Sequence, residues 1–357
     1  RTPTAMAASA SAASAPAKMP RKKIPGTDIE VSVMCLGTWQ FGDPSGTYTK
    51  QSEEVEAEIV RQAVAAGVNF IDTAEGYGGG ESERSIAKAL AAAGVKREDV
   101  VLASKVSPEN LEPSALRAAV ERSLANLKTE FIDLYQIHWP VRGDGWDVAA
   151  TFGELKKLQE EGKIRAIGVS NFGPADLAAA VATGARISTN QLPYSLAWRA
   201  IEHEVTAACS KADVGVMGYS PLAQGLLSGK YAATADVSPA ISRSRLFHRD
   251  TSPRARHEEE GCEEELWSLV AKLRSVAEES GMPVAQIALA WVLAQPNVTS
   301  VVFGASKPEH VARNTAAALA PLPASVLGRL SAASDPVKAK IGANCDVWDS
   351  KDGGRFR

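Results

Sequence analysis

Eight short runs of β-branched and apolar residues recur along the chain from Ile24 onward, at 33–36, 69–71, 100–104, 132–137, 164–169, 187–190, 214–218 and 299–303. Between them lie stretches such as SEEVEAEIVRQAVAAG and EPSALRAAVERSLANL, whose apolar positions repeat every three or four residues, as on one face of a helix. Strand and helix alternating in this way imply parallel strands joined by crossovers. Eight such units close into a (β/α)8 TIM barrel. The rival layout, an open doubly wound sheet, normally carries GxGxxG after its first strand. No such motif follows 33–36. The glycine clusters GYGGGE (76–81) and QGLLSGKY (224–231) fit neither that motif nor a P-loop, which needs glycine where Gln224 stands.

A length of 357 residues suits one barrel with additions at its ends. Ahead of the first barrel strand, KIPGTDIEVSVM places a Pro-Gly turn between short apolar runs and predicts a hairpin covering the barrel's bottom. The expected organisation is a disordered, transit-peptide-like segment over 1–20, the barrel over 21–335 with an extra helix at PASVLGRLSAAS, and an irregular C-terminal tail over 336–357. Residues 1–20 are rich in Ala, Ser and Pro, contain Arg1 and Lys18, and lack Asp and Glu. That composition points to targeting to a chloroplast or other organelle; an unrelated disordered tail would leave the protein cytoplasmic. The irregular stretch 232–261 exceeds an ordinary connection. Its arginines between 243 and 256 leave two readings open, a flap over a bound cofactor and a solvated charge run.

With 45% apolar and 23% charged residues the chain can bury a large interior, and a net charge of −3 supplies no general attraction for nucleic acid or anionic lipid. No run approaches the roughly 20 apolar residues of a membrane span. Cys35, Cys209, Cys262 and Cys345 are scattered without CxxC spacing and read as reduced thiols. His203, His248, His257 and His310 show no metal-ligand spacing, so no metal is expected. The partner implied is a small molecule, taken by a monomer or a weak homo-oligomer.

In such a barrel, chemistry sits at the carboxyl ends of the strands. The second strand ends in NFIDTAEGYG, with Asp72 at its tip and Tyr77 on the loop; the third ends in ASKV with Lys105; the fourth ends in YQIHWP with His138. Tyrosine, with an ordinary pKa near 10, is a poor acid at neutral pH. A neighbouring ammonium, Lys105, would favour the phenolate, and Asp72 would hold that ammonium charged and in place. His138 can donate to a substrate oxygen. The set suits protonation of an oxyanion as hydride arrives at carbon.

The segments CLGTWQFGD, AGVNFIDTAEGYGGGESE, VLASKV, DLYQIHWP, GKIRAIGVSNF, STNQLPYS, GYSPLAQGLLSGKY and GASKPEHVARN carry a resemblance to the aldo-keto reductases that runs from Arg21 to about Ser334. The resemblance implies NADPH-dependent reduction of an aldehyde or ketone, with Asp72, Tyr77, Lys105 and His138 as a catalytic tetrad and Tyr77 as general acid. It also implies that Ser170, Asn171 and Gln191 hold the nicotinamide carboxamide and that Tyr219 stacks on the ring. Ser220, Leu222, Gln224, Gly225 and Leu227 then pass along the pyrophosphate, and Thr38, Trp39 and Asp72 are further cofactor contacts. GASKPEH opens a helix after the eighth strand, where free N–H groups favour an anion. Gly304, Ser306 and Lys307 there, with His310, Arg313 and Asn314, should meet the adenosine end and its 2′-phosphate. The sequence departs from the family at Phe303, His310 and Arg313, where proline, Gln or Arg, and an acidic residue are common.

Trp39, Phe41, Trp139 and Trp198 are expected to wall the substrate mouth, with Arg199 available to an anionic substrate group. Potassium channel β subunits also resemble this family, which gives the alternative of an NADPH-binding redox sensor with vestigial turnover. A metal-dependent barrel hydrolase would need His and carboxylate ligands at the strand ends, which the chain lacks.

Overall fold

The computed structural model describes residues 18–42, 51–143, 145–351 and 355–356. Up to Ala17, the expected targeting segment lies outside the described residues. Arg21–Lys23 (β1) pairs antiparallel with Glu30–Ser32 (β2) as the expected hairpin. Eight parallel strands follow: Met34–Gly37 (β3), Phe70–Asp72 (β4), Val101–Val106 (β5), Ile132–Ile137 (β6), Ile164–Ser170 (β7), Ile187–Pro193 (β8), Gly215–Tyr219 (β9) and Val298–Phe303 (β10). They run in chain order around a closed barrel, in which β10 pairs with β3.

The interior follows from the two-residue period of a strand. Cys35, Phe70, Val101, Ala103, Leu134, Ala166, Met217 and Val302 meet inside the barrel, and Ile24, Ile29 and Val31 of the hairpin join them and plug one end. Continuing the same inward stripes toward the other end gives Asp72 after Phe70, Lys105 after Ala103, and Gln136 and then His138 after Leu134. Apolar residues thus fill the lower barrel and polar ones its upper rim. The outward residues pack against the surrounding helices in a second, larger core.

Two helices exceed the basic repeat. Glu263–Ser280 (α1) packs along Ala324–Ile341 (α2), the helix expected from PASVLGRLSAAS. That helix passes through Pro336 and ends at Ile341, beyond the boundary expected at 335, so the irregular tail starts at Gly342. The tail is fastened rather than loose, with Cys345 and Asp346 buried. Arg245, in the middle of the long loop 232–261, is buried and donates to the carbonyls of Ile341, Asn344 and Asp346 at 3.1, 2.8 and 3.0 Å. The loop therefore clamps the tail through Arg245, while Arg249, Arg254 and Arg256 are exposed to solvent.

Candidate active site

The upper rim brings Asp72, Tyr77, Lys105 and His138 together. Lys105 is fully buried, and its ammonium donates to Asp72 Oδ2 at 2.6 Å, the Thr73 carbonyl at 2.8 Å and the Tyr77 hydroxyl at 3.2 Å, which uses all three of its donors. Asp72 in turn accepts on Oδ1 from Gln191 at 2.8 Å and from Gln136 at 3.2 Å. The Tyr77 and His138 rings meet edge to face with centroids 5.5 Å apart, and Trp39 lies tilted against Tyr77 at 6.3 Å. Gly168 makes room for this arrangement, since a Cβ there would stand 2.6 Å from Thr189 Oγ1 and 2.9 Å from Gln136 Cγ.

Electrostatics divide the roles. Burial is the largest influence on Lys105 and disfavours its charge, but Asp72 and Tyr77 outweigh it and the ammonium titrates above its ordinary value. Burial pushes the Tyr77 phenol up, Lys105 pulls it down, and the net direction is upward. The lysine therefore tempers the phenol without bringing it into the neutral range, contrary to the expectation from residue types alone. Burial, then the Lys105 and Arg355 charges, hold His138 well below its ordinary value. The site thus holds a protonated phenol beside an ammonium and a neutral imidazole.

The residues expected around the nicotinamide form one network. Ser170 Oγ and the Asn171 backbone N–H donate to the Gln191 carbonyl at 2.9 Å each, Asn171 Nδ2 donates to the His138 carbonyl at 2.9 Å, and Tyr219 OH donates to Asn171 Oδ1 at 2.9 Å. Asn171 adopts a left-handed φ of 63°, a conformation asparagine tolerates better than most residues. Thr38 is buried behind Asp72 and donates to its carbonyl at 2.9 Å. Along the next loop, Ser220, Ala223, Gln224 and Gly225 all have positive φ and turn the backbone tightly, with Leu222 half-buried and the Leu227 side chain in the core.

Pro308–Thr315 (α3) opens with Pro308 in its first turn and Lys307 as N-cap. Gly304, Ser306, Lys307 and Arg313 are exposed at this helix, Ser306 Oγ lies 3.2 Å from His310 Nδ1, and buried Asn314 donates to the Gly304 carbonyl at 3.2 Å. Burial and the charges of Arg313, Lys307 and Lys230 hold His310 below its ordinary pKa. Lys230 is not among the residues expected from the sequence, although it stands next to last in the run QGLLSGKY. Its Nζ would lie 3.2 Å from a Cβ at Gly225, so this third cation lies over the tight loop, and its charge is felt at His310. Gln136 was also missed, and strand alternation two residues before His138 was the signal for it.

The expected substrate wall is only partly present. Trp39 and Trp139 are half-buried at the rim. Phe41 is fully enclosed in the core, and Trp198 is 3% exposed and donates to the Cys345 carbonyl at 3.2 Å, its little remaining surface lining a small cavity with Ser220 and Gln224. Arg199 is no mouth residue: it is buried in ion pairs with Glu202 and Asp335, both at 2.8 Å, and donates to the Ser331 carbonyl at 2.9 Å, anchoring α2. Position after a strand locates these residues near the rim without fixing the direction of their side chains. Among the described residues no cluster of His, Cys, Asp and Glu suits a metal ion, and no single helix is long and apolar enough to cross a membrane.

A barrel with this rim defines an oxidoreductase of the kind that works on carbonyl groups. The family model of the Aldo/keto reductase family matches residues 33–335, and the chain belongs to that family. It is 31% identical over 319 residues to the NADH-specific methylglyoxal reductase of Escherichia coli (strain K12), covering 83% of this chain and 93% of the relative. It is 35% identical over 298 residues to the aldo-keto reductase YhdN of Bacillus subtilis (strain 168), covering 80% and 84%. Among solved structures it is similar to an aldo-keto reductase from Klebsiella pneumoniae in complex with NADPH, with a TM-score of 0.68, 29% identity, and 88% and 95% of the two chains covered. These relatives are bacterial and lend no support to an organellar address.

Proposed function

We propose that the protein reduces an aldehyde or ketone to the alcohol with NADPH, and that Tyr77 gives the proton. The observation that carries this reading is the buried Lys105 ammonium held between Asp72 at 2.6 Å and the Tyr77 hydroxyl at 3.2 Å. A bound reduced nicotinamide would supply the hydride for the carbonyl carbon. The phenol of Tyr77 hands its proton to the carbonyl oxygen as negative charge develops there, which is downhill because the alcohol formed is a far weaker acid than a phenol. The ammonium then stabilises the phenolate left behind, and Asp72 keeps the ammonium charged. The neutral His138 ring can donate one N–H to the same oxygen without competing for the proton.

The fit of the cofactor rests on the chain's own groups. Gln224 Nε2 and Asn314 Oδ1 are buried polar atoms without a hydrogen-bond partner among the described residues, one on the tight loop and one beside the helix start. Lys307 and Arg313 flank His310 on one short helix and the Lys230 charge is felt there too, a cationic set suited to a 2′-phosphate. This supports NADPH over NADH, although one relative is named as NADH-specific. The relatives are oxidoreductases, which favours turnover over the sensing alternative. Tyr77→Phe should keep cofactor binding, followed by fluorescence, and lose on the order of 10²–10⁴ in turnover. Wild-type turnover in that variant would sink the assignment.

A further inference from the structure

The anion reader expected at the mouth, Arg199, is tied up under α2, and a different arginine from the far end of the chain stands at the rim. The Arg355 guanidinium lies 3.5 Å over the ring of Trp139, the residue that follows His138, and Phe356 meets the same indole edge-on at 5.7 Å. Asp346, fully buried, fixes the guanidinium along one edge, accepting from Nε at 2.5 Å and from Nη2 at 2.9 Å. The Arg355 and Trp348 backbone N–H groups donate to the same carboxylate at 3.3 and 3.1 Å, so Asp346 collects four hydrogen bonds and its charge is well compensated. The opposite nitrogen, Nη1, takes no hydrogen bond among the described residues, and the side chain is 28% exposed, so a ligand can reach it. Arg355 thus stacks on the residue next to His138, and its charge is felt by both His138 and Tyr219.

A guanidinium whose plane is set by an indole and whose one edge is held by a buried carboxylate is preorganised to take an anion on its free side. We infer that Arg355 is a specificity-determining residue that binds an anionic group, a carboxylate in the first instance, on the carbonyl substrate. The inference rests on the reductase reading of the same rim. No covalent step is involved; the contact orients the substrate so that its carbonyl faces Tyr77 and His138.

The test compares 4-carboxybenzaldehyde with its neutral counterpart methyl 4-formylbenzoate in wild type, Arg355→Met and Phe356→Ala. Wild type should favour the carboxylate in kcat/KM. Arg355→Met should lower that ratio about tenfold or more, the effect of losing one charge-assisted contact. Phe356→Ala, which removes a ring contact to Trp139 but leaves the guanidinium, its stacking and its bonds to Asp346 in place, should keep the ratio. A wild type without preference, an equal loss on both substrates in Arg355→Met, or a collapse of the ratio in Phe356→Ala would overturn the inference. If neither aldehyde turns over, the reductase reading fails separately. Calorimetry with 4-(hydroxymethyl)benzoate still decides Arg355, since about tenfold weaker binding in Arg355→Met supports the contact and equal binding refutes it.

Discussion

Removing the charge of Lys105 separates what the buried pair does for stability from what it does for chemistry. In Lys105→Met, Asp72 keeps its bonds from Gln191 and Gln136 but loses the 2.6 Å ammonium contact, and the Thr73 carbonyl loses its donor. Breaking one side of a buried ion pair costs about 3–5 kcal/mol, because the other charge is left in the low-dielectric interior. At roughly 2 °C per kcal/mol for a chain of this size, the melting temperature should fall by roughly 6–10 °C. Asp72→Asn strands the ammonium in the same way. The double variant Asp72→Asn/Lys105→Met removes both charges and should recover part of the loss, with a coupling of roughly 1–3 kcal/mol. Turnover should stay low in all three. Without the ammonium's downward pull the Tyr77 phenol, already above its ordinary value, rises further. With Tyr77 as the proposed proton donor, reduction needs the protonated phenol, and its alkaline limb should move to higher pH. Thermal unfolding and pH–rate profiles on the four proteins check this. Strictly additive stabilities would refute the coupled pair, and an unmoved alkaline limb would refute the lysine's hold on the phenol.

Lys307→Ala, Arg313→Ala and Lys230→Ala should each weaken NADPH about tenfold and NADH little, in titrations followed by fluorescence at low and high salt; equal loss for both cofactors would show that these residues do not read the phosphate. Arg199→Ala should lower stability by about 1–3 kcal/mol in thermal unfolding, because Glu202 and Asp335 lose a partner, and leave the preference for anionic over neutral aldehydes in place. The thiols should react slowly with a disulfide reagent in the native state and fully after denaturation. All four are buried, and burial pushes Cys209 up to about 11 and Cys262 and Cys345 up to about 12.

The barrel was legible because strand and helix periods are local properties, and every expected strand run overlaps an observed strand. The rim was legible for the same reason: Asp72, Lys105 and His138 lie on inward stripes whose lower members are apolar. Direction was not legible where a side chain leaves the regular strand. Phe41, Trp198 and Arg199 follow strand ends as Trp39 and Trp139 do, yet they turn into the core or under α2, because partners such as Asp335 and Cys345 lie more than a hundred residues away in sequence. The tail after Gly342 reads as irregular since it forms no repeat; Arg245, Asp346 and Arg355 order it through contacts that no local pattern encodes.

The same geometry explains why the titration of Tyr77 departs from what residue types suggest. An ammonium near a phenol lowers its pKa in water, but at this rim burial disfavours the Tyr77 phenolate more than Lys105 favours it. Asp72 adds to the opposition, because the carboxylate that keeps the lysine charged also repels a phenolate. The pair therefore does not create an acidic tyrosine at rest. On the mechanism proposed above, the proton stays on Tyr77 until negative charge appears on a neighbouring oxygen, and the ammonium 3.2 Å away is placed to stabilise the phenolate once the proton has moved.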